Sequence, residues 1–123
     1  MNPRTKRIIY WVATSLFCLW LLGDGIAGVA ENATGAAIII GLGYPLYVMI
    51  ITGVAKILAS VAIIQTRWRT IKEWAFAGYT IDCLGAAASH YFAGSGTVEI
   101  ILSFVFLAVM FVVYYLWKKG WGN

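Results

Sequence analysis

The chain has 123 residues, 62% of them hydrophobic and only 11% charged, with nine Lys plus Arg against five Asp plus Glu. A mean hydropathy of +0.84 excludes an ordinary soluble domain and points to a chain whose solvent is lipid. The basic excess does not indicate nucleic acid, because no nucleic-acid module is visible and the bases gather at the ends of apolar runs.

A bilayer core about 30 Å thick needs about 20 apolar residues as helix. Four runs meet that need: Ile8 to Val29, Tyr44 to Ile64, Ile71 to Phe92 and Thr97 to Trp117. The expected fold is therefore all-α, a single domain over residues 1–123 forming an integral membrane four-helix bundle. The first run follows Arg4, Lys6 and Arg7 and contains one acid, Asp24, flanked by Gly23, Gly25 and Gly28. A basic start and the small residues Gly28-Val29-Ala30 also resemble a cleaved leader, but that cleavage would discard Asp24. Asn32-Ala33-Thr34 is a formal glycosylation acceptor of little weight, and Ala36 to Leu42 is expected to form a short interfacial helix before the corner Gly43-Tyr44-Pro45.

The second run carries Lys56 with no acid within a dozen residues on either side. An ionisable group at bilayer depth costs at least about 2.5–3.5 kcal/mol, so it faces the interior and finds a partner. Counted from Tyr44, Lys56 lies roughly 18 Å into its helix, and Asp82 lies roughly 17 Å into the antiparallel third helix. That match predicts a buried Lys56–Asp82 ion pair between the second and third helices. Gly78, Asp82, Gly85 and Ser89 are spaced 4, 3 and 4, a stripe of small residues that permits close helix packing, and Gly53, Lys56 and Ser60 form its counterpart. Asp24, roughly 24 Å along the first helix, matches the depth of His90, the only histidine, which suggests a second pair. Glu73 follows Arg69 by four residues and reads as an interfacial pair with it. At the start of the fourth run, Glu99 favours the helix dipole.

Arg67, Arg69 and Lys72 lie between the second and third runs, and Lys118 and Lys119 follow the fourth; the other two loops contain no Lys or Arg. Both termini are thus expected on the cytoplasmic side. Trp11, Trp68, Trp74, Trp117 and Trp121 fall near that edge, as belt residues should. Cys18 and Cys83 lie inside apolar runs without metal or redox spacing and read as small buried hydrophobes. No metal set and no cofactor motif is evident.

Two stretches, LGYPLYVMIITGVAKILASVAII and KEWAFAGYTIDCLGAAASHYFAG, resemble the DoxX-like family of small four-span bacterial membrane proteins. The resemblance covers nearly the whole chain through four linked elements: Leu42 to Pro45, Ala55 to Leu58, Lys72 to Gly78, and Asp82 with His90. Ala59 departs from the glycine expected after A-K-I-L. The resemblance implies a bacterial inner membrane protein, and the wider superfamily implies association with thiosulfate:quinone oxidoreductase and oxidative-stress assemblies. It implies no catalytic role for Lys56, Asp82 or His90.

Three functions remain open at this level. One is a subunit or scaffold beside a redox partner protein, holding a quinone or other lipophile through a donor such as Lys56 or His90. Another is a small proton-coupled transporter using Asp24, and the third is a purely structural assembly protein, with the glycines and alanines of the third helix also permitting a homo-oligomer. A stand-alone enzyme is disfavoured, because no nucleophile, base and orienting group can be assembled from one histidine and two intramembrane cysteines.

Overall fold

The computed structural model describes residues 2–94 and 96–122. Those residues form five helices: α1 Pro3–Val29, α2 Ala33–Gly41, α3 Val48–Ile64, α4 Arg69–Phe92 and α5 Thr97–Lys118. Among the described residues there is no strand. The main helix packings are α1 on α3, α4 on α5, α3 on α4 and α5 on α1, while α2 lies against α3.

Local chemistry sets most of the helix ends. Asn2 accepts from the Arg4 amide and Pro3 occupies the first turn of α1, where a missing N–H costs nothing. Asn32 caps α2 by accepting from the Gly35 amide at 2.8 Å, while its side-chain amide donates to the Ala27 carbonyl at 3.1 Å. Its side chain is thereby committed to joining α1 to α2. The interfacial helix expected from Ala36 to Leu42 begins three residues earlier because of this cap.

Helix α3 corrects the expected start at Tyr44. Gly43 adopts φ +88° and the Val48 amide bonds back to the Pro45 carbonyl at 3.1 Å, so the chain turns through Tyr44–Tyr47 before the helix begins. At 17 residues, α3 is roughly 25 Å long. Helix α4 begins two residues before Ile71 and carries Arg69, Lys72, Glu73 and Asp82. Among the described residues two helices, α1 and α5, are long and apolar enough to cross a membrane.

The distribution of polarity is the reverse of a soluble protein. Leu16, Leu19, Leu58, Ile81 and Val98 point outward along all four long helices, an apolar surface far larger than water tolerates on a monomer. Inside, an aromatic and aliphatic core joins Phe17, Leu21, Ile63, Phe76, Tyr79 and Met110. Cys18 and Cys83 belong to this core as free, buried thiols, and Tyr79 meets Phe17 edge to face at 5.4 Å between centroids. Buried polar side chains sit at both ends of this core, Lys72 near one and His90 near the other.

Candidate functional site

The closest helix contact is between α1 and α3, and glycines create it. A Cβ on Gly25 would lie 2.7 Å from the Gly53 carbonyl oxygen, one on Gly53 would lie 2.8 Å from the Val29 nitrogen, and one on Gly28 would lie 3.1 Å from the Met49 carbonyl. Only residues without a Cβ let the two backbones touch in this way. Of the glycines flanking Asp24, Gly25 and Gly28 therefore admit another backbone, that of α3, while a Cβ on Gly23 would meet nothing within 4 Å.

This contact determines who meets the lysine. Lys56 Nζ donates to Asp24 Oδ2 at 2.7 Å, and Asp82 Oδ2 is 3.9 Å from the same ammonium. The expected Lys56–Asp82 pair is one arm of a three-member centre, and its shorter arm reaches the first helix. A charge-assisted hydrogen bond at 2.7 Å is the stronger kind, whereas 3.9 Å is a Coulombic contact without one. The depth count from Tyr44 hid Asp24 as the partner. Measured from the true start at Val48, Lys56 is only about 12 Å into its helix, near the level of Asp24. The centre is only half-buried, with side-chain exposures of 23% for Lys56, 39% for Asp24 and 36% for Asp82.

The expected Asp24–His90 pair does not form. His90 is buried at the far end of α4, where its ring lies against Gly96, a left-handed residue at φ +80° that leads into α5. Glu99 lies beside it, in the first turn of α5. Asp24 is engaged instead by Lys56, because α1 is packed on α3.

The small-residue stripes also divide. Gly53 is at a true backbone contact, but a Cβ on Gly78 or Gly85 would meet nothing within 4 Å. Those two glycines of α4 are not at a close helix approach; the side of α4 facing α3 opens into a cleft instead. Ser60 is buried and its hydroxyl donates to the Ile57 carbonyl of its own helix at 2.8 Å. Ser89 shares a 2.7 Å hydrogen bond with the Tyr44 hydroxyl, tying the corner before α3 to the end of α4.

Glu73 likewise finds a partner the i,i+4 spacing did not name. It accepts from Lys118 Nζ at 2.9 Å and from the Tyr114 hydroxyl at 3.1 Å, both on α5, while Arg69 stacks over the Trp117 ring at 4.9 Å.

Two clefts reach the charged centre from different sides. The larger, about 550 Å³, lies between α3 and α4; Lys56, Asp82, Thr52 and Tyr79 supply its polar groups, and Leu58, Ile71, Trp74 and Ile81 are among its apolar walls. The smaller, about 150 Å³, lies between α1, α2 and α3 and is lined by Asp24, Asn32, Thr52 and Lys56. Lys56 is thus on the wall of both. A cleft of several hundred Å³ with apolar walls and a few convergent polar groups is the usual form of a small-molecule site. Among the described residues no group of three or more His, Cys, Asp or Glu is placed to hold a metal ion.

The described residues thus combine an all-helical fold, an apolar exterior, two helices long and apolar enough to cross a membrane and a charged centre between helices. Residues 12–113 match the model of the DoxX-like family. The chain belongs to that membrane-associated family. No curated protein matches it, and no solved structure does.

Proposed function

We propose that this chain is a multi-pass protein of the bacterial inner membrane in which α1, α3, α4 and α5 form a four-helix bundle with both termini cytoplasmic. Its function on this reading is that of a subunit or scaffold in a quinone-linked or oxidative-stress redox system, holding a quinone or other lipophile in the α3–α4 cleft. The observation that carries the reading is the position of Lys56 on the wall of a cleft of about 550 Å³ that is otherwise mostly apolar. An ammonium there presents hydrogen-bond donors to a carbonyl oxygen, and Leu58, Trp74 and Ile81 offer the apolar surface that a ring or isoprenoid tail prefers. Electron transfer belongs to a partner protein, because quinone redox chemistry needs a cofactor these residues do not supply. The orientation is supported by the eight bases that flank the helices at the end holding both termini and the α3–α4 connection.

Native mass spectrometry of protein extracted in mild detergent tests this reading. Wild type should carry a quinone-sized lipophile that is lost from folded Lys56→Met and from Ala55→Trp, which fills the cleft from an exposed wall position. A bare wild-type chain, or equal occupancy in both variants, rejects it.

A second reading, a small proton-coupled transporter, is favoured by one feature: Lys56 lines both clefts and shares two carboxylates. One ammonium between two carboxylates leaves a formal negative charge that a single proton neutralises, as a relay requires. Proton-driven uptake into vesicles that survived Asp24→Asn would rule it out.

A further inference from the structure

At the end of the molecule away from His90, one cation is buried with no acid paired to it among the described residues. Lys72 is 2% exposed. Its ammonium donates to the Tyr10 hydroxyl at 2.7 Å and lies 5.0 Å from the Trp117 ring centroid and 5.5 Å from that of Tyr10. Among the described residues no carboxylate pairs with it; the ion pairs present join Lys56 and Lys118 to their acids. A hydroxyl and two ring faces leave donor capacity on an ammonium with three N–H groups, and a desolvated cation lacking an anion is costly.

The surroundings add positive potential. Lys72 is in the opening turns of α4, whose N-terminus has no side-chain cap and no acid in its first turn. The first helical residue is Arg69, so a guanidinium and a buried ammonium stand at the positive end of the helix dipole, while Glu73, one turn on from Arg69, is already bonded to Lys118 and Tyr114, an arrangement that favours an added anion. Gln65 fixes the approach: its Oε1 accepts from the Arg67 and Trp68 amides at 2.8 and 2.7 Å, and its amide donates to the Ala62 and Trp68 carbonyls at 2.8 Å. A pocket of about 130 Å³ opens between these groups, lined by Tyr10, Thr66, Trp68, Arg69, Lys72 and Trp117.

We infer that this pocket binds a phosphoryl group, held by Lys72, Arg69 and the α4 N-terminus. Phosphate suits the set: its oxygens accept from ammonium, guanidinium and backbone N–H together, and its charge offsets one cation as a diester and up to two as the free anion. Two sources carry this chemistry, an anionic phospholipid headgroup and free inorganic phosphate. The inference stands apart from the lipophile reading, since none of these residues lines the cleft at Lys56 except through the shared helix α4.

The test uses delipidated full-length protein as wild type, Lys72→Met, Arg69→Gln and Lys119→Gln. Lys119 stacks on Tyr115 and does not line the pocket, so its variant removes one charge from the same end without touching the site. Arg69 is at the exposed side of the pocket, which keeps the test open should Lys72→Met fail to fold. Phosphatidylglycerol against phosphatidylcholine is scored by native mass spectrometry, and inorganic phosphate by titration calorimetry at constant ionic strength. Expected is retention of phosphatidylglycerol or phosphate by wild type and Lys119→Gln, with affinity reduced about tenfold or more in Arg69→Gln and Lys72→Met. Phosphatidylglycerol alone identifies the headgroup as source; phosphate bound in the absence of lipid identifies the free anion. Binding of neither, or equal weakening by Lys119→Gln and Arg69→Gln, overturns the inference.

Discussion

Replacing Gly53 with alanine separates the packing described here from the one the small-residue stripes suggest. The new Cβ would sit 2.7 Å from the Gly25 carbonyl oxygen and 2.8 Å from the Val29 nitrogen, both backbone atoms that no rotamer change can move. Ordinary contact requires the helices to part by about 0.7 Å, and overpacking of this kind costs about 1–3 kcal/mol. Gly78→Ala is the matched control: its Cβ meets nothing within 4 Å, so removing a helix-interior glycine should stabilise by about 0.5–1 kcal/mol. The two single-methyl additions therefore have opposite signs and differ by about 1.5–4 kcal/mol. Unfolding in mixed micelles titrated with dodecyl sulfate, followed by circular dichroism, measures both. A Gly53→Ala protein as stable as wild type, or a Gly78→Ala protein that loses as much as Gly53→Ala, would refute the α1–α3 contact as the tight one.

Three further outcomes follow from the same geometry. Asp24→Asn should destabilise more than Asp82→Asn in that assay, by about 1 kcal/mol, because only Asp24 makes a hydrogen bond to the ammonium; the reverse order would place Lys56 on the wrong partner. Gly96→Ala should cost about 1–2 kcal/mol for the left-handed backbone alone, and more because its Cβ would lie 2.5 Å from His90 Nδ1. The double variant with His90→Ala should recover the clash but not the backbone strain; full recovery, or none, would count against this account. Glu73→Gln should cost less than about 1 kcal/mol, and that cost should shrink as salt rises, since the Lys118 pair is partly exposed; a larger, salt-insensitive loss would contradict it.

The sequence exposes some of this structure and conceals the rest for identifiable reasons. Helices α1 and α5 are legible because each carries an apolar run of more than 20 residues, interrupted by a charge only at Asp24 in α1 and at Glu99 in α5, and the family is legible because four spaced motifs occur in order. Lys56 is conspicuous as the one base remote from a helix end. Its principal partner is not legible from depth alone, because Gly43 and Pro45 delay the start of α3 by four residues and move every depth measured along it. The signal was present in Gly25, Gly28 and Gly53, which fit a backbone contact as readily as a water site. Gly78 and Gly85 carry the same pattern with no contact, so small residues mark where helices can approach, not where they do. Lys72 reads in the sequence as a flanking base, since no periodicity separates an orienting lysine from one folded beneath Tyr10 and Trp117.

Packing and chemistry are coupled at the charged centre. If α3 stood farther from α1, Asp24 would leave Lys56, and the ammonium would turn toward Asp82 across the open α3–α4 cleft. The glycine contact holds the lysine by its first-helix partner and leaves Asp82 at 3.9 Å, close enough to interact and too far to hydrogen-bond. A donor-bearing ligand entering the cleft can therefore engage Asp82 without breaking the 2.7 Å bond, whereas a carbonyl ligand must take a donor from Lys56 that Asp24 does not use. Both are met on the same wall, which is why Gly53→Ala, far from charged itself, should weaken occupancy of the cleft along with the stability of the fold.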